Sequence, residues 1–206
     1  QWDGTHVPFL MVLAAMLLNL LMLPAIPGTG PEVRGNGEMF PLNGPNWSLF
    51  FEYIGNILYA FCLRKMSTKA LTVFVVVCGA LLSAFAVGNM SGFGHLGVGW
   101  SLSEWNLPGG MLRMLFSYSM GMLIARTFKP VGMKHSFLIC SLLLFVFLSM
   151  PHVGGADSLW MNGIYDSFCI LVLFPALLYI GACGSCEGAA SKKVCKFFGD
   201  ISYPVY

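Results

Sequence analysis

Charged residues are scarce in this sequence. Asp, Glu, Lys and Arg make up 10% of its 206 residues, against roughly 25% in an average soluble chain. With 57% hydrophobic residues, the chain could not cover its own surface in water, which excludes a soluble globular domain. A net charge of +2 is too small to imply a nucleic-acid partner. No hydrophilic stretch is long enough to build a second core, so residues 1–206 are expected to form a single membrane domain. No internal repeat is visible, and a transporter built from inverted repeats gains no support.

Metal chemistry is also poorly provided for. His6, His95, His135 and His152 have no His or Glu partner three or four residues away, as a helix-borne metal site needs. Of seven cysteines, Cys62, Cys78, Cys140 and Cys169 lie in apolar segments, where a free thiol packs as a small hydrophobe. Cys183-Gly184-Ser185-Cys186 has C-x-x-C spacing, with Cys195 further on. Tetrahedral zinc needs a fourth ligand, and none follows nearby, so no metal is expected.

What the chain does have is apolar length. Mostly apolar windows run over about residues 7–27, 47–63, 70–90, 111–126, 137–151 and 163–182, and a further one starts at Phe197. Spanning a bilayer takes roughly 17–25 such residues. The fold expected is therefore all-α, a polytopic transmembrane helical bundle of about six full spans plus the start of a seventh. Asn19 and Pro24 interrupt the first window, and no small-residue cleavage pattern follows it, which argues against a signal peptide.

Basic residues orient the bundle. Arg64, Lys65 and Lys69, then Arg126, Lys129 and Lys134, then Lys192, Lys193 and Lys196 fall in alternate loops; only Arg34 and Arg113 fall elsewhere. The positive-inside rule makes loops 64–69, 127–136 and 183–196 cytoplasmic. Loops 28–46, 91–110 and 152–162 then face out. The first two are rich in Gly and Pro, the chemistry of turns. Trp100 and Trp105 suit the membrane interface. The plainer expectation is exposed linkers; the alternative is that the loops fold over an outward-facing site.

Three ionisable groups sit near the outer ends of inward-running spans: Glu52, Arg113 and Asp166. A carboxylate flanked by Phe50, Phe51, Tyr53 and Ile54 is expensive if it faces lipid, so it faces protein, a wet cavity or interfacial water. Arg113 stands in Met111-Leu112-Arg113-Met114-Leu115-Phe116. It either pairs with a carboxylate at the same depth or snorkels to headgroups. Ser48, one turn before Glu52, is placed to relay a proton or bind a hydroxyl. Capping the helix that follows Pro45 and Asn46 is the favoured role for that serine.

These residues resemble a known family. Asn43-Gly44-Pro45-Asn46-Trp47-Ser48-Leu49-Phe50-Phe51-Glu52-Tyr53 resembles the W-S-L-x-x-E signature of the membrane acyltransferase 3 family. Arg113-Met114-Leu115-Phe116-Ser117-Tyr118-Ser119-Met120-Gly121-Met122-Leu123 is similar to its R-x-x-F-S-F-x-x-G-x-L span. Asn162-Gly163-Ile164-Tyr165-Asp166 and Phe198-Gly199-Asp200-Ile201-Ser202-Tyr203-Pro204-Val205-Tyr206 resemble later family segments, in the same order.

The resemblance implies an integral membrane O-acyltransferase in the inner (cytoplasmic) membrane. Such an enzyme moves an acyl group, acetyl by expectation, from acyl-CoA to a hydroxyl of a cell-surface carbohydrate or lipid-linked glycan. It implies no bound cofactor, since acyl-CoA is a substrate. Its partners would be the bilayer, the acyl-CoA and the glycan, with no nucleic acid. It also implies catalytic roles for Glu52 and Ser48, and substrate-binding roles for Trp47, Asn43, Arg113, Asp166 and Tyr203. The family's histidine-bearing N-terminal span has no counterpart here, and His6 lacks the basic residue that precedes that histidine. The chain, opening at Gln1, is therefore expected to be an internal fragment of a longer acyltransferase domain, inactive alone. A transporter or flippase for a lipid-linked glycan is the alternative of a different class. A purely structural subunit would leave Glu52 and Arg113 unexplained.

Overall fold

A computed structural model describes residues 6–151, 156–184 and 189–205. These residues are helical with isolated bridges and no named strand among them, as the all-α reading expects. The helices are α1 (Phe9–Leu20), α2 (Asn46–Phe61), α3 (Thr68–Val87), α4 (Asn106–Thr127), α5 (Ser136–Leu148), α6 (Leu159–Phe168), α7 (Phe174–Ala182) and α8 (Ala189–Val205). A π-helical segment, Cys169–Leu173, joins α6 to α7 without a break.

Local chemistry sets these limits. The Ser67 hydroxyl caps α3 by accepting the Ala70 N–H at 3.2 Å, satisfying one of the first-turn donors. At its other end Gly88 donates to the Ala84 carbonyl, and Asn89 turns the chain with φ +46°. Asn19 donates to the carbonyl of Ala15, and α1 stops one residue later, well inside the window expected to span. The π-helical turn precedes Pro175, the second residue of α7. A proline inside a continuous helix offers no N–H and crowds the carbonyl four residues back, here Leu171, so the ladder widens locally.

Lengths separate the expected spans into two groups. At 1.5 Å per residue, α3 covers about 30 Å and the run Leu159–Ala182 about 36 Å, matching a hydrocarbon core of about 30 Å. These two helices are long and apolar enough to cross a membrane. The apolar helices α1 and α5 are shorter. α4 is long enough, but its polar residues lower its hydropathy, and α2 is 16 residues long. The last segment begins at Ala189, earlier than Phe197, and carries Lys192, Lys193 and Lys196 within the helix.

α3 is central. Its residues Val75, Cys78, Leu82 and Phe85 form the main buried cluster with Phe116 of α4 and Leu96 and Val98 of the preceding loop. Glycines bring the helices close. A side chain on Gly163 of α6 would collide with the Ala86 carbonyl of α3, and one on Gly55 of α2 with the Tyr118 ring of α4. Membrane helices lack a hydrophobic drive between them, so such small residues permit the close packing that holds them. The outside is apolar: on α5, Phe145 is 72% and Leu148 71% exposed. Apolar surface so continuous suits lipid, not water.

The loops sort to two ends. Arg126 of α4 donates to the Met66 carbonyl at 2.7 Å, and Met133 donates to the Cys183 carbonyl at 3.0 Å, bringing the ends of α2, α4 and α7 together. At the other end, Met39 donates to the Trp100 carbonyl at 2.9 Å, and Glu38 bridges Ser101. This second pairing corrects the expectation of exposed linkers. Met39, Phe40 and Val98 are fully buried, with Phe51 of α2 beneath the first two. The buried Glu32 carboxylate accepts the N–H of Gly28, at 2.6 Å, and of Gly37. Both glycines have positive φ, so the loop wraps its own acid, as turn chemistry allows.

Candidate functional site

The paired loops sit over the N-terminal ends of α2 and α4. Below them a cleft of about 410 Å³ opens between the two helices, lined by Trp47, Ser48 and Glu52 of α2 and by Arg113, Ser117 and Tyr118 of α4. Helical spacing explains Ser48 and Glu52, since residues four apart share a face; Trp47, at the start of α2, enters from the adjoining face. The Gly110 wall lets α4 approach Phe51 closely enough to shape the floor.

Arg113 organises the cleft. Its guanidinium lies 5.7 Å from the centre of the Trp47 ring, within cation–π range. One of its N–H groups donates to the Val98 carbonyl at 3.0 Å. Arg113 also lines a cavity with Leu96, Gly97, Tyr165 and Asp166. The expected pairing of Arg113 with a carboxylate is not made; among the described residues the ion pair is Arg34–Glu38. Asp166 instead accepts the Leu96 N–H at 2.7 Å. The segment 96–98 is thus held by the acid at one end and the guanidinium at the other. A half-buried charge needs hydrogen bonds as much as a counter-charge, and backbone supplies them here.

Glu52 faces the open part of the cleft and is exposed. One turn further, Tyr118 donates from its hydroxyl to the Asn56 Oδ1 at 2.9 Å, tying α2 to α4 beneath the acid. Ser48 is not the helix cap. α2 starts at Asn46, and the Ser48 hydroxyl, inside the first turn, donates to the Pro45 carbonyl at 2.8 Å. Pro45 itself takes the cap position with helical backbone angles, three residues earlier than serine chemistry suggests.

Of the residues singled out in the sequence, Trp47, Ser48, Glu52 and Arg113 therefore meet in one cleft. Asp166 stands behind it and acts on the loop. Asn43 lies on the other side of α2, where its amide donates to Asn46 at 2.7 Å and lines a groove with α1. The side chain of Tyr203 lies outside the described residues, as do His152 and Cys186. Among the described residues no histidine lines the cleft.

Sequence reasoning missed Asn106. It is 2% exposed, and its Oδ1 accepts the N–H of Gly99 at 2.5 Å and of Ser101 at 3.2 Å. It thereby fixes Gly99, whose φ is +114°, against Trp47. The available signal was an amide at the start of a helix directly after a glycine-rich loop.

The arrangement can hold a polar substrate between a carboxylate and a guanidinium, under a loop lid and beside an aromatic face. No curated protein and no solved structure matches this chain. The sequence pattern of the acyltransferase 3 family, described as an acyltransferase domain, matches residues 3–206. The chain belongs to that acyltransferase family.

Proposed function

We propose that this chain is the acceptor-handling part of a multi-pass O-acyltransferase of the inner membrane, which esterifies a hydroxyl of a cell-surface carbohydrate with an acyl group from acyl-CoA. The observation that carries the reading is the shared cleft of Glu52, Ser48, Trp47 and Arg113. A sugar suits it, because pyranose faces stack on an indole and hydroxyls need both donors and acceptors. The six-span arrangement keeps α1, α2, α4 and α5 as membrane segments, and the fall of basic residues in alternate connections along the sequence favours it. Loops 64–69, 127–136 and 183–196 are then cytoplasmic, and the cleft opens near the outer face.

The chemistry is ester formation. A base removes the proton of the acceptor hydroxyl, and the oxygen attacks the thioester carbonyl carbon. The carbon–sulfur bond then breaks, and CoA leaves as a thiolate that takes up a proton. Glu52 orients the acceptor hydroxyl or the base that acts on it. Arg113, fixed by Val98 and Trp47, faces the oxyanion of the tetrahedral intermediate. Ser48 and Tyr118 complete the polar wall.

Membranes bearing the whole protein, labelled acetyl-CoA and the host's own surface glycan provide the test. Label should enter base-labile esters on the glycan, and Glu52→Gln should lower that rate about 10²-fold or more with membrane insertion intact. Movement of unmodified glycan across the membrane, without ester formation, would instead establish the transporter reading.

A further inference from the structure

A second cavity lies beside Arg113, on the far side of α4 from Glu52 and Trp47. It lies between α4 and α7, has a volume of about 240 Å³, and is walled by Met120, Gly121, Ile124 and Phe174, with Arg113 and Ser117 at one end. Arg113 and Ser117 also line the polar cleft, so the two spaces share those residues. From Arg113 to Ile124 the helix rises roughly 16 Å. Among the described residues no other charged side chain lines this space.

The two ends therefore ask for different chemistry in one ligand. At the shared end is a guanidinium with five N–H donors, one of them given to Val98. Along the rest are apolar walls. Gly121 is the informative wall residue. A Cβ built on it meets no atom within 4 Å, so close helix packing does not require glycine there. Glycine inside a helix is otherwise disfavoured by roughly 0.5–1 kcal/mol relative to alanine. What its missing side chain leaves is open space in the cavity.

We propose that this cavity receives the acyl chain of the donor, carbonyl oxygen toward Arg113, and that Gly121 sets the longest chain accepted. The inference rests on the acyl-transfer reading of the same site and goes further in naming the substrate class. The space exceeds what a single methyl group fills, so medium-length acyl groups are donors alongside acetyl.

Membranes containing the whole protein are supplied with acetyl-, hexanoyl-, octanoyl- and decanoyl-CoA, and the esterified glycan is measured by mass spectrometry. Wild-type protein should transfer chains longer than acetyl. Gly121→Leu should lower the octanoyl-to-acetyl ratio by about tenfold or more, the effect of a few methylene-sized contacts. Gly121→Ala should lower it less, and Ile124→Ala should shift transfer toward longer chains. The ratio does not depend on how much variant inserts, and Gly121→Ala introduces no contact, so poor folding of the leucine variant leaves the test intact. An equal fall for every donor would overturn the proposal, because the cavity would then hold the part all donors share. A ratio unmoved by all three substitutions would also overturn it. Transfer of no acyl group by wild-type protein would sink the acyl-transfer reading itself; acetyl transfer alone would sink only the chain-length inference.

Discussion

Gly99 and Gly110 meet backbone to backbone: a Cβ on Gly110 would lie 2.5 Å from the Gly99 Cα and 2.7 Å from the Phe51 ring. The loop lid thus rests directly on α4, and the approach leaves no room for even a methyl group. Gly110→Ala is expected to destabilise the protein by about 1–3 kcal/mol, the usual effect of overpacking, seen as a lower thermal midpoint in detergent. Gly121→Ala serves as the control, since its Cβ meets nothing. Equal midpoints for the two variants would show that the lid does not sit as described.

Asn106 should matter through the loop. In Asn106→Ala the N–H groups of Gly99 and Ser101 lose their acceptor, at about 1–3 kcal/mol for each group that stays buried. The expected result is faster proteolysis within residues 91–105 and weaker acceptor binding, with the basic end of the bundle unaffected. Unchanged protection of that loop would count against the clamp.

Arg113 should resist conservative replacement. A lysine keeps the charge but loses the planar fork that donates to Val98 while facing Trp47. Arg113→Ala is expected to reduce acyl transfer about 10²–10³-fold, as when an oxyanion donor is removed, and Arg113→Lys should recover only part of the loss. Full activity in Arg113→Lys would reduce the role to a simple charge.

Orientation can be checked by single reporter cysteines in a cysteine-free background. Asn36→Cys and Asp157→Cys should react with an impermeant maleimide from outside. Ser67→Cys and Lys193→Cys should react only after the membrane is opened. Outside labelling at Lys193 would invert the arrangement.

The sequence by itself determined the helical class and the apolar exterior. These follow from composition and from properties that repeat along the chain, so no distant contact is needed to see them. It also brought Ser48 and Glu52 onto one face, because a helix fixes neighbours four residues apart. The limits of local reading appear at α1, where a 21-residue apolar window became a helix of 12 residues. They appear again at Ser48, whose hydroxyl bonds inside the first turn.

Only the tertiary structure decided how the polar groups are satisfied. Asp166 and Arg113 share a depth and bear opposite charges, yet Asp166 goes to Leu96, 70 residues away in sequence. Glycine-rich composition marked loops 28–46 and 91–110 as irregular, and packing joined them into a lid whose inner side is buried through Met39, Val98 and Asn106. Irregular backbone away from water must find partners for its N–H and C=O groups. Those partners come from whichever segment the fold brings near, and that choice is written in three dimensions.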